Sequence, residues 1–258
     1  MIEDNYMTKE EYLKIPVERK DSSFRWYRIP GGKWTPSVTT ILNVIGKGTG
    51  FHKWLGNHPS YEIACQERDK AAERGTIVHD SIEKLLKGES IETDNEEIAK
   101  HLMCFKKFYA DYDMEVIDQE LFLISPNWEF AGTPDLVCKI DGKVWLIDFK
   151  TGNFYKTHPL QCRMYALLYE EIFGIKIDCI GGLYTKSTWI KEPNYIFKKF
   201  PYTDSALVKY DNCILGATSL WNYMNGTTKL ADPYPKDKVK IDSIFKLGGV
   251  TNDSYEEL

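Results

Sequence analysis

The fold is decided by the stretch Gly132–Gly152, which reads GTPDLVCKIDGKVWLIDFKTG. Asp141-Gly142 is a strong hairpin signal between two β-branched and aromatic runs, so the stretch predicts two antiparallel strands. Each strand carries one aspartate, Asp135 or Asp148, beside an apolar run. Lys150 follows Asp148 by two positions and therefore shares its strand face. The hairpin is thus expected to bring two acids and one lysine together.

These polar side chains are costly at the ends of apolar strands unless they pair or hold a metal ion. Two converging carboxylates offer hard oxygen ligands, which suit Mg²⁺ or Mn²⁺ better than Zn²⁺. A neighbouring lysine can orient or deprotonate a water for attack on a phosphodiester, while the metal ion stabilises the developing charge. The pattern therefore predicts metal-dependent phosphodiester hydrolysis.

Outward from the hairpin, hydrophobic periodicity predicts helices and strands in alternation. Before it we expect a strand over Phe24–Ile29, helices over Ser60–Leu86 (with Gly75 as a possible break) and Asn95–Asp113, and strands over Val116–Ile124 and Trp128–Ala131. After it we expect a helix over Leu160–Ile172 that ends at Gly174, strands over Ile177–Tyr184 and Tyr195–Phe200, and a helix from about Ser205 to Tyr223.

The predicted fold class is α/β, with a mixed central sheet flanked by helices and a helical N-terminal elaboration. We expect one domain over residues 1–258. Within it, residues 1–113 form a mainly helical N-terminal region, residues 114–225 form the catalytic core, and residues 226–258 form a C-terminal tail.

Composition excludes several classes of protein. With 43% hydrophobic and 28% charged residues in 258, the chain is neither disordered, collagen-like nor a disulfide miniprotein. No apolar run is long enough to span a membrane. The acidic start, Met1–Leu13, is not a secretory signal, so we expect a cytoplasmic protein. The six cysteines form no C-x-x-C pair, which argues against zinc.

The net charge of −5 disfavours a polyanionic partner at first sight, but the acids are unevenly distributed. Glu89–Glu97, Met1–Leu13 and Gly249–Leu258 carry −5, −3 and −3, which leaves +6 on the rest of the chain. Because a ligand responds to the local field rather than to the total charge, nucleic acid is not excluded. Binding is expected within a groove.

The hairpin resembles the core motif of the PD-(D/E)XK nuclease superfamily, and motifs on both sides are similar to its RecB-like and phage-exonuclease branch. These motifs are RGTIVHDSIE at Arg74–Glu83, Gln161-x-x-x-Tyr165, and PSVTTIL at Pro36–Leu42. They occur in the order of that branch, from about Pro36 to Tyr165. The resemblance implies a restriction-endonuclease-like fold.

The resemblance also implies roles for individual residues. It implies that His79, Asp135, Asp148 and the backbone carbonyl of Phe149 hold the metal ion, and that Lys150 is the catalytic lysine. Glu120 would hold a second metal ion or its water. Gln161 and Tyr165, which lie four apart on one helix face, would position the phosphate or support the site.

Each of these residues, taken alone, can also be explained without a role in catalysis or metal binding. His79 alone is more often a satisfied helical histidine than a ligand, and Glu120 alone could be an exposed strand residue. Gln161 and Tyr165 alone are helix surface and core edge. The joint pattern outweighs these alternatives because the weak signals occur together in one order.

DNA contacts are expected from polar and basic residues around this core, namely Ser37, Thr39, Arg74, Lys156 and Arg163. Five aromatic residues of the N-terminal region suit either the stacking of unpaired bases or the protein core: Trp26, Tyr27, Trp34, Phe51 and Trp54. Some members of the branch carry a four-cysteine iron–sulfur cluster. Only Cys179 and Cys213 follow the catalytic core here, so we expect no cluster.

The resemblance implies a Mg²⁺- or Mn²⁺-dependent DNA exonuclease in phage-type recombination, repair or replication, acting in the cytoplasm, of a bacterial host if phage-encoded. Linear single- or double-stranded DNA is the expected partner, and a single-strand annealing protein is suggested. One alternative is a structure-specific endonuclease, which would also cut closed circular DNA. Another is a catalytically silent DNA-binding or inhibitor protein, which would bind no divalent ion.

Overall fold

The computed structural model of the chain describes residues 6–22, 24–125 and 127–225. The helices in these ranges are α1 Lys9–Tyr12, α2 Val38–Leu42, α3 Gly48–Gly56, α4 Tyr61–Leu86, α5 Glu96–Asp111, α6 His158–Phe173 and α7 Asp204–Asn225. The strands are β1 Glu18–Asp21, β2 Arg25–Arg28, β3 Thr35–Pro36, β4 Met114–Gln119, β5 Leu123–Ile124, β6 Ala131–Gly132, β7 Leu136–Ile140, β8 Lys143–Lys150, β9 Cys179–Thr185 and β10 Tyr195–Phe200.

Five strands form the central sheet in the order β10-β9-β8-β7-β4. The β8–β9 pair is parallel, and the chain crosses between these strands through α6, whereas the other pairs are antiparallel. Two smaller sheets, β1-β2-β3 and β5-β6, lie outside it. The structure therefore confirms the predicted α/β class with a mixed sheet and flanking helices.

The predicted hairpin is formed by β7 and β8. Asp141 and Gly142 both have positive φ values, 50° and 76°, as the tight turns that match strand twist require. Leu136 pairs with Ile147 in this hairpin. Because the strands run antiparallel, the aspartates just outside that pair, Asp135 and Asp148, end up side by side.

A hydrophobic cluster packs on each face of the sheet. Leu146 belongs to the cluster that contains most of α6, and Ile147 belongs to the cluster formed with α4 and α5. Alternation along β8 therefore puts Asp148 on the same face as Leu146, towards α6. Phe149 lies in the opposite cluster, beneath α4 and α5.

The N-terminal region differs from prediction at Gly75 and at β1, among other places. Gly75 does not break α4, which continues for 26 residues from its Ser60 N-cap. The segment Glu18–Asp21 forms an unpredicted strand, since its four exposed, charged residues carry no hydrophobic pattern and it is held by backbone pairing with β2.

The chain divides into two compact units, Met1–Trp221 and Asn222–Leu258. Only the first four residues of the second unit are described, as the end of α7, so the predicted tail at residues 226–258 lies outside the described residues. Within the described ranges, no helix is both long enough and apolar enough to cross a bilayer.

Candidate active site

Asp135 and Asp148 are both almost fully buried where the β7–β8 hairpin opens. The backbone N–H of Phe149 donates to Asp135 Oδ2, which fixes that carboxylate across the hairpin. Asp148 is only 2% exposed. Such burial of two neighbouring acids requires compensation from cationic or hydrogen-bonding partners.

His79 approaches this pair from α4. Its Nδ1 lies 3.2 Å from Asp135 Oδ1, and its ring packs edge-on against Phe149 at 5.9 Å. Burial works against a charged imidazole here, but the charge of Asp135 prevails and raises the pKa of His79 to about 9. The predicted histidine therefore does meet the predicted aspartate.

Glu120 enters the site from the end of β4 rather than from within the strand. Its φ is 45°, a conformation that a non-glycine residue rarely adopts, and its backbone N–H donates to the Asp135 carbonyl at 3.2 Å. The bend brings Glu120 Oε1 to 3.9 Å from His79 Nδ1. Burial, followed by the charge of Asp135, raises the pKa of Glu120 to about 8.

Asp148 is held on the α6 side of the site. Gln161 Nε2 donates to Asp148 Oδ1 at 3.0 Å and lies 3.2 Å from the Tyr165 hydroxyl. Lys150 forms an ion pair with the other carboxylate oxygen of Asp148. Burial and then the charge of Asp135 raise the pKa of Asp148 to about 6, although Lys150 opposes this shift.

The donor set fits a divalent cation. One ligand atom from each of His79, Glu120 and Asp135 lies within 4.8 Å of the others. Asp148 lies outside this group of three, and its oxygens contact Gln161 and Lys150. Burial beside Asp135 raises the pKa of Glu120 and of Asp148, and a hard cation would offset the repulsion between these carboxylates through its own charge.

Two of the expected DNA contacts require correction. Arg163 is buried on α6: its guanidinium donates to Asp211 at 2.9 and 3.2 Å, to Glu170 at 3.3 Å and to the Tyr202 hydroxyl at 3.0 Å. Ser37 is buried as the N-cap of α2, where its Oγ accepts from the Thr40 N–H at 3.0 Å. Because both groups are committed to internal partners, neither is available to DNA.

The other expected DNA contacts are accessible. Thr39 and Lys156 are exposed, and the half-buried Arg74 forms an ion pair with Glu97 at 2.9 Å. Among the five aromatic residues, Tyr27 is buried and Trp26 packs against Trp221 at 5.2 Å. Phe51 and Trp54 stack on each other at 5.5 Å on α3. The core alternative therefore holds for Trp26 and Tyr27.

In the loop between β8 and α6, which begins directly after Lys150, sequence reasoning singled out Lys156 but missed the aromatic residues. Phe154 and Tyr155 are exposed aromatic side chains next to the site strand. A signal was present, because no Asp or Glu occurs between Asp148 and Glu170. Sequence reasoning also missed Gly132, where a Cβ would collide with the Tyr165 ring.

Two of the comparisons with known proteins gave matches. The profile of the PD-(D/E)XK nuclease superfamily matches residues 47–194, which is more than half of the chain and includes His79, Asp135, Asp148 and Lys150. Among solved structures, an alkaline exonuclease from Laribacter hongkongensis matches with a TM-score of 0.39 and 10% identity, over 74% of this chain and 89% of that chain. The search of curated proteins found no match.

Proposed function

The chain belongs to the PD-(D/E)XK nuclease superfamily, and from this premise we propose that it is a Mg²⁺- or Mn²⁺-dependent exonuclease that hydrolyses phosphodiester bonds of linear DNA. The observation that carries the proposal is the convergence of Asp135, His79 and Glu120 beside the Asp148–Lys150 ion pair. Each of these residues was expected in the site from the sequence motifs.

We propose that His79, Asp135 and Glu120, whose ligand atoms converge, hold the metal ion, and that Asp148 and the Phe149 carbonyl are the further oxygen donors that the motif resemblance implies. When bound, the ion would supply Lewis-acid stabilisation of the charge that develops on the phosphate. His79 and Glu120 are about one quarter exposed, whereas Asp148 is buried, so the cluster is accessible from the α4 side. We propose that the scissile phosphate arrives from this side.

Lys150 is proposed as the catalytic lysine. Its ammonium group is held against Asp148, where it can orient the attacking water and stabilise negative charge near the phosphate. Gln161 is proposed as a positioning residue, because its amide fixes the Asp148 carboxylate and is itself held near Tyr165. Preference for DNA ends, and a role in phage-type recombination, repair or replication in the cytoplasm beside a single-strand annealing protein, rest on the motif resemblance alone.

The proposal is tested by incubating the full chain with linear DNA and with covalently closed circular DNA of the same sequence, with Mg²⁺ or with EDTA. We expect degradation of the linear DNA only, and only with Mg²⁺. Lys150→Met should lower the rate by on the order of 1000-fold, because it removes the cation next to the reacting phosphate.

Lys143→Met is the matched control, since Lys143 begins the same strand that Lys150 ends and is exposed. It should retain wild-type activity. Cleavage of the circular DNA would favour the endonuclease alternative. Absence of both hydrolysis and divalent-ion binding by calorimetry would favour the catalytically silent alternative.

A further inference from the structure

The loop at residues 151–157 presents aromatic rings to solvent immediately after the proposed catalytic lysine. Phe154 is 39% exposed and Tyr155 is 44% exposed. Contiguous exposed aromatic surface is unfavourable in water and, where polar residues border it, can mark a place where a ligand binds. The adjacent Lys156 is also exposed.

These rings pack against further aromatic side chains that extend to the active-site strand β8. The His158 ring stacks on Tyr184 with a centroid distance of 5.8 Å and an angle of 24°. Phe154 packs edge-on against His158 at 5.9 Å, and Tyr155 does so at 5.5 Å. Tyr184 pairs with Lys150 across the β8–β9 register. The exposed rings are therefore supported by a packed layer that ends beside Lys150.

The charge around the rings is positive. Lys198 Nζ lies 3.6 Å from the centroid of the Phe154 ring. No Asp or Glu occurs at residues 149–169 or 193–203, which contain the loop and β10 with their lysines. A ligand that complements this surface carries negative charge together with flat apolar groups. A DNA strand with unpaired bases has both, because its phosphates can meet the lysines while its bases stack on the rings.

We propose that Phe154, Tyr155, Lys156 and Lys198 form a stacking platform for unpaired bases of the DNA strand that enters the active site. This inference rests on the proposed function and specifies its substrate as single-stranded DNA or a frayed end. Paired bases are already stacked within the duplex and do not present free faces to the rings. The platform is therefore expected to discriminate between single-stranded and double-stranded DNA.

The test measures binding without hydrolysis. Fluorescence anisotropy in EDTA compares three labelled ligands of equal length: oligo(dT), an abasic deoxyribose-phosphate oligomer and a DNA duplex. The wild-type chain should bind oligo(dT) more tightly than either of the others. The Phe154→Ala/Tyr155→Ala variant should lose about tenfold or more in affinity for oligo(dT), as expected from the loss of base–aromatic stacking. Its affinity for the abasic oligomer should stay within about twofold, because the lysines that meet the phosphates are retained.

Tyr109→Ala is the matched control, because Tyr109 on α5 is also 44% exposed. It should leave all three affinities unchanged. Phe154 also packs against Phe200, so a Phe154→Leu/Tyr155→Leu variant keeps apolar contacts while removing the rings, and thermal unfolding verifies that it folds. It should show the same loss for oligo(dT).

Equal wild-type affinity for oligo(dT) and the abasic oligomer would overturn the platform, as would an unchanged affinity for oligo(dT) in the leucine variant. Failure of the proposed function has a different signature. In that case the chain degrades no DNA with Mg²⁺, yet the dependence of binding on Phe154 and Tyr155 in EDTA can still be read.

Discussion

Two helices, α4 and α6, flank the strands of the active site and differ sharply in how much of their surface is buried. In α6, which carries Gln161 and Tyr165, twelve of the sixteen residues are buried. In α4, which carries His79, only four of twenty-six residues are buried. The α6 side of the site is thus held by packing along most of the helix. The α4 side is held by a few apolar residues, among them Val78 and Ile82, and by the contact between His79 and Asp135.

Because of this difference in burial, substitutions on α6 and on α4 should affect the stability of the fold to different extents. A change on α6 disturbs the hydrophobic core and reaches Asp148 through Gln161. A change on the exposed face of α4 alters little packing. Matched substitutions on the α6 side and the α4 side therefore test whether the two sides differ in their contribution to the free energy of unfolding.

The largest contrast is expected between Arg163→Met and Arg74→Met. Arg163 is only 10% exposed, and its removal leaves Asp211 and Glu170 without their cation, so we expect the free energy of unfolding to fall by about 3 kcal/mol. The ion pair of Arg74 with Glu97 is more exposed, and its loss should cost less than about 1 kcal/mol. Urea denaturation measures both free energies of unfolding. Equal losses in the two variants would show that the two sides do not differ in this way.

The second contrast uses glycines that contact the two sides of the site. At Gly132 a Cβ would lie 3.1 Å from Tyr165 Cδ1, closer still to Tyr165 Cε1, and 3.3 Å from Val38 Cγ2. Because Tyr165 is buried and cannot move away freely, Gly132→Ala should destabilise the fold by about 2 kcal/mol through overpacking.

At Gly75, within α4, a Cβ would meet only Thr151 Oγ1 at an ordinary 3.6 Å. Gly75→Ala should therefore stabilise the fold by about 0.5 to 1 kcal/mol, because alanine favours the helix interior. Thermal and urea unfolding give the sign of each effect. A stabilising Gly132→Ala or a destabilising Gly75→Ala would show that the two sides are packed alike.

Local sequence signals predicted much of this molecule. Asp141-Gly142 specified the hairpin, and Gly174, with φ of 65°, ended α6 where expected. The alternation around Asp148 correctly placed its side chain with that of Lys150. These features depend on residues a few positions apart, and such short-range geometry is encoded directly in the chain.

Features that depend on distant partners could not be predicted. Arg163 reads as an available cation on a helix, but it is buried against Asp211, which lies 48 positions away. Ser37 reads as a polar side chain available to DNA, but it is buried as the N-cap of α2. The bend that turns Glu120 into the site depends on its hydrogen bond to the Asp135 carbonyl, across two strands. Tertiary packing determines these positions, and the residues next to them in the sequence do not indicate which distant residues they contact.

The last contrast concerns the histidine at the start of α6. Burial, and then the charge of Lys150, lower the pKa of His158 from 6.5 to about 3, whereas the pKa of His79 on α4 is raised. His158 Nδ1 accepts from the Tyr155 N–H at 3.4 Å and lies 2.7 Å from the Tyr184 hydroxyl, so the folded chain favours neutral imidazole. As the pH falls below 6.5, the unfolded chain takes up a proton at this position and the folded chain does not.

His158 should therefore reduce the free energy of unfolding by about 1 kcal/mol between pH 7 and pH 5.5. Urea denaturation of the metal-free chain at both values, compared with His158→Gln, isolates this contribution because the carboxylates are common to both proteins. The glutamine side chain does not titrate, so the free energy of unfolding of the variant should fall less than that of the wild type between pH 7 and pH 5.5. If wild type and variant lose stability equally, His158 is not held neutral by burial, and the α6 side of the site is more open than its packing indicates.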